Sequence, residues 1–282
     1  MIGVFDSGYG GLTIMQALKL RLPQFDYVYL GDNARAPYGA RTPEEIYQFT
    51  RAGVDWLFAH GAQVVVLGCN TSSANALRRL QAEYLPAHYP DRRILGILVP
   101  TVEAVTGAAW RGEIVTNGAP THAVIFATPS TVTSLAYSRE ITKRNPAVRV
   151  IEQACASLVP LIEQGAHPDV LRAEVKKYVD AARAKDAQWP PDVVVLGCTH
   201  YALIADLFHE ATEGALVYAQ GTLTADAFAR YLSRHPDIMA RFSTGGTWDA
   251  FTTGDAGAVS ALATRFFHAP FTFAHAHVPM LL

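Results

Sequence analysis

The hexapeptide VVVLGC occurs twice in this chain, at Val64 to Cys69 and again at Val193 to Cys198. The first copy runs into Asn70, Thr71 and Ser72, the second into Thr199 and His200. An apolar, β-branched run closed by glycine and followed by a helix-like pattern reads as a buried parallel strand feeding a helix. Each thiol is then expected at a strand's carboxyl end, where open α/β sheets bind ligands. The polar residue after each cysteine is placed to cap the next helix, whose first N–H groups and dipole favour an anion. A thiol in such a place tends toward a lowered pKa.

The same alternation runs outward from these two points. Ile2 to Phe5, Tyr27 to Leu30, Ile94 to Leu98, Ala123 to Phe126 and Val148 to Ile151 read as strands. Helical patterns cover the stretch from Leu12, then Pro43 to His60, Ser73 to Glu83, Ser130 to Lys143 and Leu171 to Ala184. This grammar predicts an α/β fold with largely parallel sheets. Gly3 to Gly8 also has a counterpart in Val124 to Ser130, an apolar strand opening into a polar turn. Loops and cysteines alike are separated by about 120 to 130 residues, so duplication of one unit is the expectation. It gives two pseudo-symmetric α/β domains, residues 1–98 plus 210–282 and residues 99–209, with the site in the cleft between them. The strand Ala215 to Tyr218 and the helix Ala225 to Ser233 are assigned to the first domain's sheet, and Pro100 with Gly112 to Pro120 to the crossing points. Thr244 to Thr247 and Thr252 to Asp255 read as turns, and the tail from His275 carries no signal.

Bulk composition narrows the partner. A chain of 282 residues with 25 acidic and 23 basic residues, net charge −2, has no cationic excess for nucleic acid and no polybasic run. No apolar stretch reaches the about 20 residues of a membrane span, and Ile2 to Asp6 follows the first Met without a signal-peptide pattern. A cytoplasmic protein with a small-molecule partner is expected, without nucleic acid or membrane. Three cysteines, Cys69, Cys155 and Cys198, fit a reducing compartment rather than a disulfide framework.

Two cysteines facing one substrate carbon can act as a base and an acid. A thiolate on one side removes a proton while a thiol on the other delivers one, which inverts a stereocentre. The mirror-image substrate swaps the roles, so a duplicated scaffold suits a racemase. The lysines, Lys19, Lys143, Lys176, Lys177 and Lys185, include none at a glycine-rich strand end that suggests a pyridoxal phosphate Schiff base. A route without cofactor is therefore expected, with hydrogen bonds and a dry, closed site stabilising the carbanion.

Five stretches then carry a specific likeness: GVFDSGYGGLT (Gly3 to Thr13), LGDNARAPYG (Leu30 to Gly39), VVLGCNTSSANAL (Val65 to Leu77), ILGILVPTVEA (Ile94 to Ala104) and VVLGCTHYALI (Val194 to Ile204). Together they resemble the glutamate racemases of the aspartate/glutamate racemase superfamily, from residue 2 to about residue 255. The resemblance implies two pseudo-symmetric α/β domains, no cofactor or metal, glutamate as substrate and a role in supplying D-glutamate for peptidoglycan; it admits a homodimer. It assigns Cys69 and Cys198 as the proton donors and acceptors. Asp6 and Ser7 match supporting and substrate-binding positions; Asp6 either holds the ammonium, orients Cys69 or merely caps its loop. Pro37, Tyr38 and Gly39 match a substrate-binding turn, and Asn70, Thr71 and Thr199 are donors for the substrate carboxylate. His200 is placed beside Cys198 as catalytic support and as a substrate contact. Thr131 or Thr128 contributes from the second domain, Asp32 and Glu163 match more distant carboxylates, and Cys155, read within a helix, is a bystander.

The likeness has departures. Ala156 and Ser157 follow Cys155 where the family usually has proline, and 106–121 is longer and richer in Gly and Pro. Other readings are an aspartate racemase of the same superfamily, a metal site of Cys69, Cys198 and His200, and a nucleotide-binding or regulatory protein. The metal reading lacks a close CxxC or HxxxH pair. The loop Gly3 to Gly11 matches neither nucleotide fingerprint, and Asp6 would repel phosphate.

Overall fold

A computed structural model describes residues 1–109, 121–186, 189–267 and 269–279. Their strands form a six-stranded and a four-stranded sheet. The strands are β1 (Ile2–Asp6), β2 (Tyr27–Gly31), β3 (Val64–Leu67), β4 (Arg93–Gly96), β5 (His122–Ala127), β6 (Arg149–Ala154), β7 (Val193–Gly197), β8 (Leu216–Tyr218), β9 (Trp248–Thr252) and β10 (Ala274–His275). The first sheet has the order β10-β9-β2-β1-β3-β4 and the second β6-β5-β7-β8. Every ladder is parallel. Helices cover the faces, as parallel sheets require.

The two VVVLGC segments occupy equivalent places. β2-β1-β3-β4 and β6-β5-β7-β8 follow one order, with β3 beside central β1 and β7 beside central β5. In each sheet the order reverses at the central pair, where loops diverge and open a crevice at the strands' carboxyl ends. Burial explains the continuous apolar runs: all residues of β1, β3, β5 and β7 are buried.

The chain changes lobes between Ile97, packed in the first lobe's core, and Leu98, which with Val102 and Val105 packs on the second sheet. It returns at helix Gln220–Ser233, whose Ala225, Phe228 and Leu232 pack in the first lobe's core. Several expectations change here. Leu216–Tyr218 pairs with β7, so this strand belongs to the second sheet. It follows helix Ala205–Ala211 directly, and a strand returning through a short helical crossover pairs with its parallel neighbour. The first sheet is extended instead by β9, between the two expected turns, and by β10 in the tail.

The strand expected over Ile94 to Leu98 ends at Gly96, and Leu98 opens helix Leu98–Thr106. The helix expected over Ser130 to Lys143 is two, Pro129–Ser134 and Ala136–Arg144, broken at Leu135 with φ 52°. The Ser73 to Glu83 helix starts earlier, at Asn70, and contains a π turn over Leu80–Tyr84. Residues 112–120, assigned to a crossing point, and 280–282 of the tail lie outside the described residues. Among the described residues no helix is long and apolar enough to cross a membrane.

Candidate active site

The carboxyl ends of β1, β3, β5, β6 and β7 bring their loops around one cavity of about 110 Å³, lined by Ser7, Cys69 and Asn70 from one lobe and Thr128, Cys155 and Cys198 from the other. At about 10–15 Å³ per water-sized group, such a space suits a small amino acid and not a nucleotide. Cys69 and Cys198 both line it although both are nearly buried.

On the first side, Cys69 is itself the N-cap of helix Asn70–Asn75, its Sγ receiving the Ser72 N–H at 3.4 Å. The cap thus falls on the cysteine, one residue before the expected Asn70. Ser7 Oγ lies 3.4 Å from the same sulfur. Burial, followed by the nearby charge of Asp6, pushes the Cys69 thiol up to about 11. This overturns the lowered value expected at a helix start, because desolvation of the thiolate outweighs two long hydrogen bonds. Asp6 stands fully buried behind the cavity wall, its Oδ1 accepting the Gly8 N–H at 2.8 Å and its Oδ2 the Thr199 hydroxyl at 3.4 Å. Burial raises the Asp6 carboxyl above its ordinary range, against the charge of His200 and these hydrogen bonds.

The second side is built differently. Cys198 Sγ lies 3.9 Å from His200 Nδ1, and His200 Nε2 lies 3.0 Å from Glu163 Oε1. Burial would lower the His200 pKa, but its partners Cys198 and Glu163 outweigh burial and raise it to about 10. In its protonated form His200 gives one N–H to Glu163 and directs the other toward Cys198. Tyr9 meets this ring edge-on at 5.0 Å. Glu163, matched from sequence only as a distant carboxylate, lines the cavity itself.

The remaining expected residues fall at graded distances from the cavity. Pro37, Tyr38, Gly39, Asn70, Thr71, Thr199 and His200 line it. The Tyr38 hydroxyl is turned away to Asp32, whose carboxylate also takes Arg35 at 2.7 Å and Thr253 at 2.8 Å. Asp32 therefore acts on the wall of the site from behind. Thr128 lines the cavity, whereas Thr131 stands behind it, 3.0 Å from Thr128 and 3.4 Å from Thr71. Cys155 is no helical residue remote from the site. β6 runs on to Ala154, so Cys155 also stands at a strand's carboxyl end and lines the cavity. Burial and the neighbouring Cys198 push its thiol well up. Gly8, Ala36, Ala40, Pro129, Ala156, Val159 and Pro160 complete the wall without a sequence signal beyond their nearness to named positions.

Among the described residues no group of three or more His, Cys, Asp or Glu is arranged to hold a metal ion. The arrangement defines a two-lobed α/β protein whose ligand cavity is closed by both lobes, with a cysteine of a repeated motif from each. The family model described as Asp/Glu/Hydantoin racemase matches residues 12–226, and the chain belongs to that family. A glutamate racemase from Caulobacter sp. (strain K31) is 44% identical over 281 residues, covering 96% of this chain and 98% of its own. Of solved structures, a glutamate racemase isoform from Bacillus anthracis superposes with TM-score 0.84 at 25% identity, over 100% of this chain and 98% of that one. The glutamate racemase from Thermus thermophilus in complex with β-chloro-D-alanine gives 0.79 at 28%, over 99% and 98%.

Proposed function

We propose that this protein interconverts L- and D-glutamate by two-base proton transfer between Cys69 and Cys198, without pyridoxal phosphate, and so supplies D-glutamate for peptidoglycan. The observation that carries this reading is the convergence of both cysteines, from opposite lobes, on one cavity of amino-acid size. Near-full-length identity to glutamate racemases supports glutamate over aspartate.

In the proposed reaction one cysteine, as thiolate, takes the α-proton, and the electrons of that C–H bond remain on the substrate as a carbanion. The other cysteine, as thiol, protonates the opposite face and becomes the thiolate. Asn70 and Thr71, joined by Thr199 once its hydroxyl turns from Asp6, donate to the carboxylate that carries the developing charge, in a cavity where desolvation strengthens each such bond. Ser7 and Asp6 serve the Cys69 side, His200 and Glu163 the Cys198 side. The two half-reactions thus start from unlike surroundings.

The purified protein should exchange the α-hydrogen of D-glutamate for deuterium in D2O and lose optical purity without added pyridoxal phosphate. Cys69→Ser and Cys198→Ser should each lower racemisation by roughly 10²–10⁴-fold, the usual worth of a positioned acid or base. Near-normal turnover in either variant would remove that cysteine from the mechanism. Racemisation of aspartate but not glutamate would overturn the substrate.

A further inference from the structure

Behind the cavity wall lies a closed ring of buried polar side chains drawn from both lobes. Asn70, Thr101, Tyr137 and Gln220 are each at most 3% exposed. Asn70 Nδ2 donates to Gln220 Oε1 at 2.6 Å, and the Tyr137 hydroxyl donates to Asn70 Oδ1 at 2.6 Å. Gln220 Nε2 donates to the Thr101 hydroxyl and to the Tyr137 hydroxyl, both at 2.7 Å. Thr101 Oγ1 in turn donates to the Ile97 carbonyl at 2.9 Å.

These bonds fix one another's direction. A threonine hydroxyl has one hydrogen, and Thr101 gives it to Ile97, so toward Gln220 it can only accept. Gln220 must therefore present its NH2 group to Thr101 and Tyr137, which leaves its carbonyl to face Asn70. Tyr137, accepting from Gln220, has its own hydrogen free for Asn70 Oδ1. One lone pair of the Asn70 oxygen is thereby taken, and its NH2 group, with one hydrogen given to Gln220, keeps the other without a partner in the ring. Asn70 lines the cavity, so that hydrogen is available to a substrate oxygen. A reversed ring, with Asn70 and Gln220 both flipped, needs the Thr101 hydrogen for Gln220 and forfeits the bond to Ile97.

We infer that Thr101, Tyr137 and Gln220 are positioning residues that lock the Asn70 amide in one orientation, with its spare N–H hydrogen kept for the substrate carboxylate. The ring rests on the reading of Asn70 as a substrate contact, and it extends that reading to three residues that do not line the cavity. Tyr137 stands in the second lobe, Asn70 and Gln220 in the first, and Thr101 in the helix entered by the first lobe crossing. The orientation of the Asn70 amide therefore depends on both lobes being seated together.

Thr101 offers the cleanest test because it is remote from the cavity and Thr→Val changes little but the hydroxyl. Thr101→Val should raise KM for both enantiomers by about ten-fold, the order of one charge-assisted hydrogen bond, with a smaller change in kcat. Thr101→Ser, which keeps the hydroxyl, should restore the parental KM. Tyr137→Phe, which removes the donor to Asn70 Oδ1, should raise KM in the same direction and serves if Thr101→Val does not fold. The inference fails if Thr101→Val or Tyr137→Phe folds with a KM within two-fold of the parent while Asn70→Ala raises KM. An Asn70→Ala enzyme with unchanged KM would instead overturn the substrate contact itself.

Discussion

At the residue scale, the two cysteines differ by their neighbours more than by their positions. Cys69 faces a serine hydroxyl and a buried carboxyl group, whereas Cys198 faces a histidine held by Glu163. The divergent residues after VVVLGC already announced this asymmetry. Its strength was not legible, because Glu163 reaches His200 from 37 positions away. The folded His200 pKa, about 10, stands above the ordinary 6.5, despite burial, because of Cys198 and Glu163. Proton binding to this ring therefore favours the folded state, fully below pH 6.5 and progressively less as pH rises through about 10. Glu163→Gln removes one of the groups that raise it. The loss of thermal stability relative to the parent should be largest near pH 6.5 and should shrink toward pH 10. Melting curves across that range check it; a deficit independent of pH would show that Glu163 does not act through the charge on His200.

At the element scale, the loop from β1 into helix Leu12–Arg21 is set closely against the opposite lobe. A Cβ on Gly10 would lie 2.6 Å from both His200 Nδ1 and Thr199 Oγ1, well inside contact distance. Gly10→Ala should therefore displace the Cys198-side pair. We expect a loss of racemisation of roughly 10-fold or more, since small misplacements of catalytic groups are costly. Thermal stability should fall only modestly, by about 1–3 kcal/mol as for other overpacking changes. Steady-state rates and a melting curve decide it, and an unchanged rate would mean that the loop yields instead of the histidine. Central strands were the legible elements, because β1, β3, β5 and β7 are buried throughout and so spelled in unbroken apolar runs. The edges were not. β8 and β10 are short and partly exposed, and their pairing depends on which sheet has a free neighbour, a tertiary matter. For the same reason β6, with four of its six residues half-buried and one exposed, looked shorter than it is, which hid Cys155 at its end.

At the scale of the whole molecule, the cavity exists only because two sheets of the same order are brought together by their carboxyl ends. The contact that closes it beside Cys69 is small and polar: Thr71 of the first lobe meets Thr128 at 3.0 Å, and Thr128 meets Thr131 at 3.0 Å. Gly39 lies against this same cluster, where a Cβ would stand 2.9 Å from the Thr128 Cβ. The missing side chain lets the Pro37-Tyr38-Gly39 turn of one lobe close on the second lobe's first loop. Gly39→Ala inserts a methyl group into that seam without touching either sheet's core. It should keep the lobes from seating, raising KM for both enantiomers severalfold, since each substrate contact that closure completes is worth about 0.5–1.5 kcal/mol. The substrate's own stabilising effect should weaken with it, because ligand stabilisation follows RT ln(1 + [L]/Kd). Melting curves of parent and variant with increasing D-glutamate check this directly. A smaller rise for the variant at equal ligand supports closure across Gly39, and an equal rise with equal KM would place the seam outside the binding step.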